Sequence, residues 1–163
     1  MQEIWAVISR HIAAAMFFIP QSKRIAIERR LRGKEEFRKL QLADWVLISW
    51  GKSGRTWFRV MLSRFYQIKH RLPVNRLLEF DNLHKKQPRV PKVFFSHNNY
   101  MRDYLNQWDN LDHFRDKKVV LLVRDPRDVA VSQFFQWKYR MRPHKKILNK
   151  YPPHGADITA WDQ

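Results

Sequence analysis

The chain of 163 residues contains no cysteine, which excludes disulfides, thiolate metal sites and a cysteine nucleophile and is compatible with any compartment. Its seven histidines include no HxxxH pair and no other close spacing suited to a metal cage, so no metal is expected. Acidic residues are scarce: 15 Asp and Glu stand against 32 Lys and Arg, a net charge of +17. That imbalance predicts an acidic partner (a nucleotide, nucleic acid, acidic glycan or anionic membrane) without choosing among them. Glycine is rare too, and two of the four glycines fall in one stretch, "ISWGKSGRTW" at 48–57. A long apolar run is also missing. "IWAVISRHIAAAMFFIP" is divided by Arg10 and His11, and only about 11 residues separate Arg10 from Lys23, against about 20 for a spanning helix. Its charge lies inside the run, where a signal peptide carries charge before it. Ile4, Ile8, Ile12, Ala15 and Ile19 recur at helical spacing, which predicts an amphipathic helix ending at Pro20. That helix either packs on the domain or touches a membrane surface through residues 4–19, beside the basic "KRIAIERRLRGK".

What is present is a globular composition, 44% hydrophobic and 14% aromatic, at a length that suits one domain. Residues 23–40 are charged, helix-compatible and expected to be solvated. "DWVLISW" (44–50), "KVFFSH" (92–97) and "KKVVLLV" (117–123) read as strands, the last as the clearest buried one. Between them, "TWFRVMLSRFYQIKH" places Phe58, Met61, Leu62 and Phe65 on one helical face. Residues 71–90 read as loop with one short helix at most, and 100–108 as a short helix. After the third strand, Asp125 is a natural N-cap and Pro126 occupies the first helical position. Unalternated apolar strands separated by helices predict an α/β fold, a parallel sheet flanked by helices on both faces. Ligands of such sheets bind at the carboxyl ends of strands. Those ends carry three polar clusters: Gly51–Thr56, Ser96–His97 and Arg124–Asp125.

The first cluster joins a strand to a helix. Backbone amides of the turn and first helical turn would point at one spot, where the helix dipole favours an anion. Lys52 adds a mobile charge, and Ser53 and Thr56 add hydroxyls. A Walker loop would need glycine at position 46, which is Val46, so the turn suits a smaller anion than a triphosphate. In the second cluster an anion could lie between Arg124 and Ser132, unless Arg124 pairs with Asp125 or Asp128. In the third, His97 closes a strand and suits a general base, although a lone histidine is more often structural.

Together the three match a known pattern. "WGKSGRTW" is similar to the 5′-phosphosulfate loop of the PAPS-dependent sulfotransferases, usually PKSGTTW, where PAPS is 3′-phosphoadenosine 5′-phosphosulfate. "RDPRDVAVS" resembles that family's 3′-phosphate motif, R-[DN]-P-[KR]-D-x-x-x-S, with the Arg-to-Ser spacing of eight preserved. "KVFFSH" looks like the strand ending in Lys-Thr-His that carries the catalytic histidine. The resemblance implies a P-loop-like α/β sulfotransferase fold that moves a sulfuryl group from PAPS to an acceptor hydroxyl and needs no metal. It implies that Lys52 contacts the phosphosulfate and stabilises charge on the bridging oxygen. Ser53, Gly54, Arg55 and Thr56 would cradle the 5′-phosphate, with Trp57 stacked near the adenine. Arg124 and Ser132 would hold the 3′-phosphate, and His97 would take the acceptor's proton. The product would be adenosine 3′,5′-bisphosphate.

Departures are local. Trp50 and Gly51 replace an aromatic–Pro pair, Arg55 replaces a small hydroxyl residue and Ser96 stands where Thr is common. The family's C-terminal lid over the cofactor has no counterpart, and "ADITAWDQ" reads as a helix cut at its opening. The expectation is therefore a basic helical extension at 1–40 and an incomplete sulfotransferase domain at 41–163. The rival readings are a P-loop kinase or NTPase and a basic nucleic-acid-binding module. No nucleic-acid motif appears, so no nucleic-acid partner is expected. The acceptor is a hydroxyl compound, with glycan, lipid and small alcohol all open, and the expected location is cytoplasmic with membrane association open.

Overall fold

In the computed structural model, residues 18–107 and 110–148 are described; the predicted helix up to residue 17 and the "ADITAWDQ" tail lie outside them. Three parallel strands form one sheet: β1 (Trp45–Ser49), β2 (Val93–Ser96) and β3 (Lys118–Leu122), in the order β2-β1-β3. Ile48 aligns with Ser96 and Ser49 with Leu122, so the carboxyl ends of all three strands meet at one edge. Helix α1 (Gln21–Leu42) precedes β1, α2 (Arg55–Lys69) follows it, and α3 (Asn99–Leu105) follows β2. After β3 come α4 (Pro126–Phe135), a π-helical turn (Gln136–Arg140) and α5 (Pro143–Leu148). Residues 71–90 form turns and bends without a helix.

The pleat sorts the apolar strand residues onto two faces. Val46 and Phe94 pack with Leu40, Ala43, Met101 and Phe114 beneath α1 and α3. On the other face Val93 joins Leu78, Leu83 and Val90, with Trp45, Leu62, Tyr66 and Phe95 around them. At the start of the sheet, the Asp44 carboxylate accepts the Lys92 amide at 2.7 Å, which sets the β1–β2 register.

Helix α1 is not the solvated helix its charges suggest. Glu28, Arg29, Gly33, Lys39 and Leu40 are buried. Arg29 forms an ion pair with Asp103 of α3 and donates to the Leu148 carbonyl at 2.6 Å, so partners remote in sequence compensate its burial. Gly33 is where α1 and α3 touch. A Cβ there would collide with the Tyr100 carbonyl oxygen and stand 2.6 Å from Tyr104 Cβ.

Two other expectations are corrected. On α2, Met61 and Phe65 are exposed, and the buried residues are Ser63 and Gln67. These polar side chains bind the neighbouring loop: Ser63 Oγ accepts the Leu78 amide at 2.7 Å and Gln67 Nε2 donates to the Arg76 carbonyl at 2.8 Å. They take the core position because they satisfy backbone groups that an apolar face would leave bare. Strand β3, read as the clearest buried strand, is an edge strand with Val119, Val120 and Leu121 exposed; among the described residues nothing covers its outer side.

Candidate active site

The turn after β1 carries two left-handed residues, Lys52 at φ 66° and Gly54 at φ 92°. Glycine adopts that region freely; lysine does so at a cost of about 1 kcal/mol, the kind of strain that persists where function requires it. Lys52 Nζ reaches the π-helical turn, where it donates to Gln136 Oε1 at 2.7 Å. Burial, then the charge of Arg140, holds the Lys52 ammonium below its ordinary value. Gly54 caps α2, and Phe58 donates to its carbonyl at 3.1 Å. The amides of the first helical turn have no partner within the helix and lie at its positive end. Ser53 Oγ, just before this helix, is buried and has no hydrogen-bond partner. A buried hydroxyl, a row of free amides and a cation at a helix N-terminus suit a phosphate or phosphosulfate oxygen.

His97 stands at the end of β2 and accepts no bond at Nδ1. That nitrogen lies 2.7 Å from the Ser49 carbonyl oxygen, which can only accept, so Nδ1 carries the proton and Nε2 keeps its lone pair. Burial first, and the Arg55 charge second, lower the imidazole's pKa below its usual 6.5; the bond to Ser49 opposes them. The ring is therefore neutral at pH 7, with its free lone pair on Nε2. Asn98, at φ 56°, turns the chain sharply behind it, and its amide donates to Ser96 Oγ at 2.9 Å. Ser96 Oγ in turn donates to Glu36 of α1 at 3.3 Å.

A cleft of about 480 Å³ opens beside His97, with Arg55, Thr56, Glu36, Tyr100 and Gln136 among its walls. Gln136 thus borders the cleft and holds Lys52, joining the Lys52 turn to the cleft of the histidine. Arg124 reaches the same turn: its guanidinium donates to the Lys52 carbonyl at 3.3 Å and forks onto Asp128 Oδ2 at 3.2 and 3.3 Å. This exposed ion pair is weak enough to yield to a phosphate. Asp125 is the N-cap, accepting the Arg127 amide at 2.9 Å. Ser132 lies one helical turn beyond Asp128, half-buried and not bonded to Arg124. Trp57 is 73% exposed.

The structure thus gathers Lys52, Ser53, Gly54, Arg55, Thr56, His97 and Arg124 at one sheet edge, with Ser132 and Trp57 at its margin. Sequence reasoning missed Glu36, Arg59, Tyr100 and Gln136. The π-turn that presents Gln136, a feature frequent at functional sites, has no signature in the sequence. Among the described residues no group of side chains is arranged to hold a metal ion, and no helix is long and apolar enough to cross a membrane.

The profile of the sulfotransferase domain family matches residues 42–152, which hold the turn, the histidine strand and the Arg124 motif. No curated protein and no solved structure matches the chain. With more than half of the chain matched by the family and the parallel sheet in place, this chain belongs to the sulfotransferase family.

Proposed function

We propose that the chain transfers a sulfuryl group from PAPS to an acceptor hydroxyl, with His97 as general base and Lys52 at the leaving phosphate. The observation that carries this reading is the pairing of a fixed His97 tautomer with a strained Lys52 whose ammonium is held at the border of the same cleft. PAPS supplies the sulfuryl group: the acceptor oxygen bonds to sulfur as the sulfur–oxygen bond to the 5′-phosphate breaks. The free lone pair of His97 Nε2 receives the acceptor's proton, while Ser49 keeps the ring from turning. Lys52 and the α2 amides hold the phosphate oxygens and stabilise the charge that collects there. Arg124 exchanges Asp128 for the 3′-phosphate, with Ser132 one turn beyond.

The kinase alternative is the weaker reading, because Val46 replaces the loop's first glycine and the Asp125 carboxylate is engaged in capping α4 and pairing with Arg127. A thermal-shift comparison tests the choice. Adenosine 3′,5′-bisphosphate without magnesium should raise Tm, and ATP–Mg²⁺ or an oligonucleotide should leave it unchanged. Stabilisation by ATP–Mg²⁺ alone, or by the oligonucleotide alone, refutes the proposal.

A further inference from the structure

The cleft beside His97 is lined by four basic side chains and two carboxylates. Arg32, Arg55, Arg59 and Lys145 line it, against Glu36 and Glu79. Arg32 is committed elsewhere, donating to Glu28 Oε1 at 3.0 and 2.7 Å. Arg55 and Arg59 are one turn apart on α2, where like charges repel. Arg59 Nε is buried without a hydrogen-bond partner. Glu36 is the carboxylate nearest in effect to Arg55, but burial pushes its pKa up to about 7, so it supplies only part of a negative charge at neutral pH. Arg59 also lies about 6 Å along the helix axis from Arg55. It is therefore set back from the helix N-terminus, where the phosphate oxygens of the donor would sit.

We infer that the acceptor is an anionic hydroxyl compound of the acidic-sugar class, its carboxylate or sulfate held by Arg59 and Arg55 while its hydroxyl reaches His97. A guanidinium binds either anion through paired hydrogen bonds, which would fix the acceptor's orientation as well as its charge. The walls favour a sugar over an acyl chain or sterol: Phe95, Met141 and Leu148 are apolar, but Asn99, Gln136, His97 and the charged groups dominate. This inference deepens the sulfotransferase reading and rests on it.

The test is calorimetric titration of 4-nitrophenyl β-D-glucuronide and 4-nitrophenyl β-D-glucoside, which differ at the carboxylate, into protein saturated with adenosine 3′,5′-bisphosphate. The glucuronide should bind about tenfold tighter or more, as a charged hydrogen-bond pair predicts. Arg59→Gln should reduce the preference to about threefold or less, and Arg59→Lys should keep an intermediate value. A melting curve of each variant establishes that it is folded. Equal affinity for the two sugars, binding of neither, or an undiminished preference in folded Arg59→Gln overturns the inference. Tighter binding of vesicles containing phosphatidylglycerol than of the glucuronide, with competition between them, also overturns it and assigns the anion site to a lipid headgroup. The bisphosphate-induced Tm shift is read separately. Its absence refutes the cofactor reading, and the same titration without bisphosphate then still decides the acceptor's charge.

Discussion

Glu36 offers the sharpest test of the site's physics. Its buried carboxyl lines the same cleft as His97, accepts the Ser96 hydroxyl and feels Arg55, Lys39 and Arg32. Burial dominates and raises its pKa from 4.5 to about 7. Because the folded value lies above the unfolded one, the folded protein holds the proton more tightly. Stability is then full below pH 4.5, falls as pH rises toward 7 and levels off above it. At about 1.4 kcal/mol per pH unit, ionised Glu36 costs the fold about 3 kcal/mol at pH 8. Glu36→Gln keeps an acceptor for Ser96 and cannot ionise. The variant should match the wild type near pH 4 and exceed it by about 2–3 kcal/mol at pH 8. Urea unfolding followed by fluorescence reads this directly, since the chain holds seven tryptophans. A difference that does not change with pH, or a Gln variant less stable at pH 8, refutes the argument.

Further predictions concern the turn, the base and the helix contact. Lys52→Gly should be about 1 kcal/mol more stable than Lys52→Ala in denaturant titrations, reversing the usual order, because position 52 is left-handed; neither variant should transfer sulfate. His97→Ala should lose about 10²–10⁴ in kcat while binding adenosine 3′,5′-bisphosphate as before, measured by labelled-sulfate transfer and calorimetry. Because His97 must be neutral and is held below 6.5, kcat/KM should be flat above pH 7 and fall only on acidification below 6.5; an acid limb centred above 7 contradicts the assignment. Gly33→Ala should destabilise the fold by roughly 1–3 kcal/mol despite alanine's better helix propensity, because its Cβ meets helix backbone rather than a side chain that could move aside.

The strands were legible because parallel strands are written as unbroken apolar runs, and the start of α4 because Asp125 and Pro126 are local signals. The tight turn between β1 and α2 was legible from a strand, two glycines and a lysine. Periodicity misread α2: it located an apolar stripe at Met61 and Phe65, whereas Ser63 and Gln67 face inward to bind loop residues fifteen and nine positions away. It misread β3 for a related reason. Apolar content records what a strand can bury, and its neighbours decide what it does bury.

By itself the sequence determined the parallel α/β class, the strand–turn–helix frame and the three motifs at strand ends, because each is encoded by residues adjacent along the chain. Only the tertiary structure decided which groups share the cleft. Glu36 lies 61 positions before His97, and Gln136 lies 84 after Lys52, yet packing of α1 and the π-turn brings each to the histidine or the lysine. The meeting of Arg55 and Arg59 with His97 in one cleft, the tautomer fixed by Ser49 and the raised pKa of Glu36 all follow from distance and burial, which no local pattern records.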